Sequence, residues 1–121
     1  MSELREKTLT EQTLNDLPRP VRDLAFKTLD VFVKSGPPGL AESGLFPIEY
    51  VPVAAERAAD FGGRFRIPPL GALVYVFKDG DVYDLDFPLW LEGEEDRNDL
   101  FIFLEVDTAA GVARVRDIYV P

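Results

Sequence analysis

The sequence predicts an α+β domain in which two to three N-terminal helices pack on one face of a four-stranded antiparallel sheet, formed by two C-terminal hairpins. Helical periodicity is confined to the first half of the chain, whereas β-forming runs separated by turn residues fill the last third. A chain of 121 residues is typical of one domain with a single core. We therefore interpret residues 1–121 as one domain, with residues 1–8 as a frayed lead-in.

The predicted helices are marked by capping and proline signals. A capping-box pattern predicts a short first helix from Leu9 to Leu17. Proline is tolerated in a first helical turn, and apolar residues recur on one face behind it, so a second helix is predicted from Pro20 to Lys34. A third, short helix is predicted from Pro52 to Asp60, within an irregular middle segment from Gly36 to Gly71.

Turn residues separate the predicted strands, which are Ala72–Phe77, Asp81–Phe87, Leu100–Val106 and Val112–Val120. The first pair flanks Asp79-Gly80, a dipeptide typical of two-residue hairpin turns, which places Val76 opposite Tyr83. The second pair flanks a four-residue turn, which places Phe103 opposite Arg116 and Glu105 opposite Arg114. Strand residues alternate between the faces of a sheet, so these registers assign each side chain to a face.

One face of the predicted sheet is almost entirely apolar, and we expect the helices to cover it. The other face, which we call the aromatic face, mixes aromatic side chains with charges of both signs. Its members are Leu73, Tyr75, Phe77, Val82, Asp84, Asp86, Phe101, Phe103, Glu105, Arg114 and Arg116. This pattern fits an ordinary solvent-facing sheet partly shielded by the middle segment, a homodimer interface, or a recognition surface, because aromatics and arginine concentrate in binding hot spots.

Composition excludes several kinds of chemistry. The chain contains no cysteine and no histidine, so thiolate nucleophiles, Cys-bound zinc and Ser–His or Cys–His mechanisms are absent. The closely spaced aspartates at positions 79–86 lack the spacing of an EF-hand, and we interpret them as turn and strand residues. The acidic run at 92–99 fits a solvated loop or an acidic edge that attracts a basic partner. We predict no catalytic residues, no metal and no cofactor.

The charge and the N-terminal sequence bear on partners and location. A net charge of −9 disfavours nucleic acid and anionic membranes, and it attracts a basic protein. The acidic residues Glu94, Glu95 and Asp96 are predicted to steer such a partner. The charged N-terminus lacks the apolar run of a signal peptide, and no segment has the length of a membrane span, so a cytoplasmic location is expected.

The C-terminal third also carries a family resemblance, in Asp86-Phe87-Pro88-Leu89-Trp90, the acidic loop, Asn98-Asp99-Leu100 and Asp117-Ile118-Tyr119-Val120. It resembles small bacterial domains similar to the acidic immunity proteins that lie beside polymorphic toxins. Some of those proteins have a fold related to nuclear transport factor 2. The resemblance implies a protein-binding role and transfers no functional residue.

The leading hypothesis is a non-catalytic acidic binding protein, in its most specific form an immunity-type inhibitor of a basic toxin or enzyme. The predicted contacts are Tyr75, Phe77, Phe101, Phe103 and Arg116, with Glu94, Glu95 and Asp96 as steering charges. Two alternatives stay open. One is a small-ligand domain with a pocket between the helices and a curved sheet, and the other is a carboxylate-metal enzyme.

Overall fold

The computed structural model describes residues 9–93 and 97–121, with residues 97 and 98 described in their backbone alone. The helices are α1 (Arg19–Glu42) and α2 (Val51–Asp60), and the strands are β1 (Thr10–Thr13), β2 (Phe65–Arg66), β3 (Leu73–Asp79), β4 (Val82–Leu91), β5 (Arg97–Asp107) and β6 (Val112–Tyr119). The strands pair antiparallel in the order β1-β3-β4-β5-β6, and β2 pairs with the end of β4. The α+β class with an antiparallel sheet is confirmed, but the described residues form a sheet of six strands instead of the predicted four.

The predicted first helix, Leu9 to Leu17, is wrong. Residues 10–13 form β1 along β3, and one turn of 3-10 helix follows at Leu14–Asp16. The Thr13 backbone N–H donates to Asp16 Oδ2 at 3.1 Å, which holds this turn and lowers the pKa of Asp16. A short isolated helix gains little on its own, whereas β1 pairs the otherwise free edge of β3, so the sheet pairing prevails.

Helix α1 extends beyond its predicted end at Lys34 because the chain bends at Gly36 and continues as helix. Gly36 has φ 66° and ψ −168°, a combination that residues with a side chain adopt only under strain. Pro37 then opens the second helical segment, where its missing N–H leaves no hydrogen bond unmade. The helical interpretation of the main part of α1 and of α2 is confirmed.

The core lies between the helices and the predicted apolar face of the sheet. Helix α1 contacts β5 and β6, and α2 contacts α1 and β6. The sheet residues of this core, each at most 5% exposed, are Val74, Val76, Leu85, Phe87, Leu89, Leu100, Ile102, Leu104, Val106, Ala113, Val115 and Ile118. The aromatic face is therefore the side of the sheet away from the helices.

The β3–β4 hairpin differs from its predicted register by two residues. Its turn is Gly80-Asp81, and Val76 lies opposite Leu85 instead of Tyr83. Gly80 has φ 61°, the positive value that such a tight turn demands of one residue. Because the shift is an even number of residues, every side chain stays on its predicted face.

The β5–β6 hairpin matches its predicted register only near the turn. Glu105 lies opposite Arg114 as predicted, but the pairing shifts between Phe103 and Leu104. Phe103 consequently lies opposite Asp117, not opposite Arg116. A bulge of this kind inserts one extra residue into one strand, so it changes the neighbours of every residue beyond it.

Candidate functional site

The aromatic face presents alternating aromatic rings and carboxylates across the strands. One row across the sheet consists of Glu11, Tyr75, Asp86, Phe103 and Asp117. The next row consists of Phe77, Asp84, Glu105 and Arg114. Directly opposed side chains on one face of a sheet lie close enough to interact. Asp86 has an aromatic neighbour on each side, Asp84 has one, and Glu105 lies between Asp84 and Arg114.

The aromatic side chains of this face are half-buried. Tyr75, Phe77, Phe101 and Phe103 all have intermediate exposure. The rings of Phe101 and Tyr119 pack at a centroid distance of 6.2 Å, a favourable tilted arrangement. The predicted contact aromatics thus belong to one surface on which they shield one another and keep part of their area open to solvent.

Asp86 lies at the centre of this surface and is held by Tyr119. The Tyr119 hydroxyl donates to Asp86 Oδ2 at 2.5 Å, while the buried Oδ1 has no hydrogen-bond partner among the described residues. Burial raises the pKa of Asp86, the hydrogen bond from Tyr119 opposes this rise, and the nearby charge of Asp117 adds to it. Burial, followed by the contact with Asp86, also raises the pKa of Tyr119.

A partly desolvated carboxylate is a strong electrostatic feature. Water screens it less than it screens a fully exposed acid, so it attracts an approaching cation more strongly. Sequence reasoning placed Asp86 on this face but gave it no role, and it did not single out Tyr119. The hydroxyl of Tyr119 reaches Asp86 from two strands away, and the β5–β6 bulge that sets the position of Tyr119 has no signature in the local sequence.

Arg116, the predicted basic contact, lies at the β6 side of the aromatic face. Its Nη2 is 3.8 Å from Glu105 Oε2. The Arg116 side chain is 53% exposed, so this ion pair contributes little to stability. Arg116 therefore keeps donors available at the edge of the surface.

The predicted steering charges, Glu94, Glu95 and Asp96, lie outside the described residues. Their neighbour Glu92 is exposed, and its Oε1 lies 3.8 Å from Arg64 Nη1. Trp90 lies in β4, where the Arg66 guanidinium is 4.8 Å from its ring centroid.

In the described part of the chain, no three acidic side chains converge as they would around a metal ion. Within the same residues, none of the helices is both long enough and apolar enough to cross a membrane. Comparison of the chain with protein-family models, with curated proteins and with solved structures found no match.

Proposed function

We propose that this chain is a non-catalytic binding protein whose aromatic face binds a basic surface of another protein. In its more specific form the proposal is an inhibitor of the immunity type, which occludes a basic toxin or enzyme. The observation that supports it most directly is the half-buried carboxylate of Asp86. It lies between Tyr75 and Phe103 in the middle of a sheet face opposite the helices.

The charges of the face support a basic partner. Five carboxylates belong to the two rows, namely Glu11, Asp84, Asp86, Glu105 and Asp117. Arg114 belongs to the second row and Arg116 lies beside Glu105, so these five acids and two bases together have a formal charge of −3. The overall charge of −9 has the same sign, and it would accelerate the encounter with a cationic protein at low salt.

The aromatic rings supply the short-range part of the proposed interaction. A lysine or arginine over an aromatic ring gains about 0.5–2 kcal/mol, depending on how far water is excluded. Truncation of a central aromatic residue in an interface commonly costs about 2 kcal/mol or more. Phe103 lies on β5 directly opposite Asp86 of β4, and its truncation should weaken binding most.

Light scattering coupled to size exclusion is the first experiment. A monomer is the expected result, because the proposal requires the aromatic face to be free. A stable dimer that dissociates on Phe103→Ala would show that a second copy of the chain covers the face, and the proposed function would be wrong. Leu70→Ala is the matched control, since Leu70 is an exposed apolar residue outside the aromatic face.

Affinity measurement on a captured partner is the second experiment. The partner should bind the wild type and Leu70→Ala equally, bind Phe103→Ala at least about tenfold more weakly, and lose affinity as salt rises. Equal binding by Phe103→Ala, with its fold verified by circular dichroism, would refute the sheet-face proposal. Thermal-shift scans with a metabolite library and with Ca²⁺ or Mg²⁺ separate the two alternatives, since each requires a ligand that raises the melting temperature.

A further inference from the structure

A groove runs along the outer edge of β6, between that strand and residues 44–57. It consists of two adjoining hollows of about 540 and 390 Å³, which share Phe46, Tyr50 and Arg116. Leu45 O accepts a hydrogen bond from the Val115 N–H at 2.8 Å, which fixes the segment against the strand. We call this the β6 groove and define it by Phe46, Tyr50, Val53, Arg57, Arg114 and Arg116.

The β6 groove is basic although the chain is strongly acidic. Three arginines, at positions 57, 114 and 116, line it together with one acid, Asp117. Three positive charges and one negative charge give the lining a formal charge of +2, against −9 for the whole chain. Charge of the opposite sign to that of the molecule, gathered in one groove, favours an anionic ligand there.

The three arginines are only partly engaged. Arg57 Nη1 donates to Ile118 O at 2.7 Å and lies 3.6 Å from Asp117 Oδ1, so this side chain is anchored. The 3.8 Å between Arg116 and Glu105 exceeds a hydrogen-bond distance. Arg114 is exposed and forms neither a hydrogen bond nor an ion pair with the described residues.

Apolar side chains lie beside these charges. Phe46, Ala54 and Ile118 are buried and line the groove from below. Tyr50 and Val53, at its rim, are 56% and 54% exposed. The groove therefore offers both apolar area and guanidinium groups to a ligand.

We propose that the β6 groove binds an extended acidic segment of another protein, with carboxylates on Arg114 and Arg116 and an apolar side chain against Tyr50 and Val53. Arg114 and Arg116 are two residues apart on one strand. Both line the same hollow, and alternate residues of an extended peptide lie about 6.5–7 Å apart, so a Glu-X-Glu pattern brings one carboxylate to each arginine. Guanidinium groups bind carboxylates in a two-bonded geometry, which adds specificity to the charge attraction.

Other modes of binding fit this groove less well. The Val115 N–H already bonds to Leu45, so a peptide does not add there as a further strand of the sheet. A chain of net charge −9 repels the phosphates of a nucleic acid as a whole, whereas a short acidic segment contacts the groove alone. This inference concerns an acidic ligand at the sheet edge and does not depend on the proposed function of the aromatic face.

Fluorescence anisotropy with defined peptides tests the proposal. The probes are rhodamine-labelled peptides Gly-Glu-X-Glu-X-Glu-Gly, in which X is Leu, Val, Phe or Tyr, and the matched peptides with Gln in place of Glu. At least one glutamate peptide should bind the wild type saturably below about 1 mM, and its Gln counterpart should bind at least about tenfold more weakly. Absence of saturable binding by every glutamate peptide, or equal binding of the Gln peptide, would overturn the proposal.

Variants locate the binding. Arg114→Glu should weaken the glutamate peptide at least about tenfold, because it replaces a free cation with an anion. Arg19→Glu is the control with the same charge change, on an 83% exposed side chain of α1, and it should alter the affinity less than about twofold. Phe103→Ala should retain peptide binding, since Phe103 lies on the aromatic face and not in the groove.

Three results would contradict this placement. Equal losses in Arg114→Glu and Arg19→Glu would indicate attraction by total charge alone. Loss of peptide binding in Phe103→Ala, with the fold of the variant verified, would place the acidic peptide on the aromatic face, and it would count against a basic partner for that face as well. Displacement of the peptide by an equal concentration of inorganic phosphate, or tighter binding of an oligothymidine, would show a general anion site or a nucleic-acid site.

Discussion

Removal of the Tyr119 hydroxyl tests the electrostatics of the aromatic face. Tyr119→Phe deletes the donor that lies 2.5 Å from Asp86 Oδ2, and Asp86 Oδ1 has no partner among the described residues to compensate. A hydrogen bond to a charged group contributes about 1.5–3 kcal/mol, so the free energy of unfolding should fall by about that amount near neutral pH. Urea titration followed by the fluorescence of the chain's only tryptophan, Trp90, measures it.

The cost of Tyr119→Phe should depend on pH. Burial raises the folded-state pKa of Asp86 above its unfolded value of about 3.9, so the folded state binds the proton more tightly than the unfolded state. This carboxyl therefore lowers the free energy of unfolding as pH rises from about 3.9 through its folded pKa, and the loss is complete above that pKa. Without the Tyr119 hydroxyl the pKa of Asp86 rises further, so the variant loses more stability at neutral than at acidic pH.

Asp86→Asn supplies the matched background. It removes the buried charge and keeps an oxygen that accepts a hydrogen bond from Tyr119, so the variant should be at least as stable as the wild type near neutral pH. Its free energy of unfolding should also lack the decrease that ionisation of Asp86 causes as pH rises through the acid range. A hydrogen bond between neutral groups contributes about 0.5–1.5 kcal/mol, so Tyr119→Phe should cost about 1 kcal/mol less in this background. A cost independent of pH, or equal in the two backgrounds, would refute the argument that the hydroxyl stabilises an ionised, desolvated carboxylate.

Two further predictions concern the helices. A Cβ at Gly39 would lie 2.2 Å from Ser35 Cβ, so Gly39→Ala should lower the free energy of unfolding by about 1–3 kcal/mol in urea titration, with partial recovery on adding Ser35→Gly. Gly71→Ala, where a Cβ meets no atom within 4 Å, is the control, and an equal loss there would contradict the steric argument. Arg57→Met removes the donor to Ile118 O and should lower the free energy of unfolding by about 1–3 kcal/mol. The control Arg64→Met, at an exposed arginine, should change the free energy of unfolding by less than about 0.5 kcal/mol. Similar melting temperatures for the two variants would count against this role of Arg57.

The regions that sequence reasoning predicted well are those with a strong local period. The apolar run of β3 and the apolar face of α1 each need a buried partner layer, whatever its details. Even the wrong register at Gly80 left the faces intact, because two residues are one full period of a strand. The α+β class was predicted correctly because the assignment of side chains to faces does not change with a register error of two residues.

The regions that it missed depend on distant residues. Residues 10–13 became a strand because β3, some sixty residues later, offers them an edge. The short helix predicted there from a capping pattern had no tertiary packing to stabilise it. The two strands of the β3–β4 hairpin needed no such distant partner, since they pair across a two-residue turn.

Of the two candidate binding surfaces, the aromatic face was predicted from the sequence and the β6 groove was not. Alternation along the strands was enough to predict the members of the aromatic face, because side-chain direction follows from position within a strand. The link between Asp86 and Tyr119 was not predicted, nor was the grouping of Arg57 with Arg114 and Arg116 in the β6 groove. They require a bulge in one strand and the docking of residues 44–57 on β6.

Residue order along the chain set the class of fold, the apolar face, and the absence of histidine and cysteine chemistry, because these depend on composition and on spacings of a few residues. Tertiary contacts set the partner of each edge strand, the partly desolvated carboxylate and the basic groove in an acidic protein. Such features arise where segments far apart in the chain come into contact, and the free energy of each contact depends on the shape and charge of both segments. A local sequence pattern describes only one of the two segments.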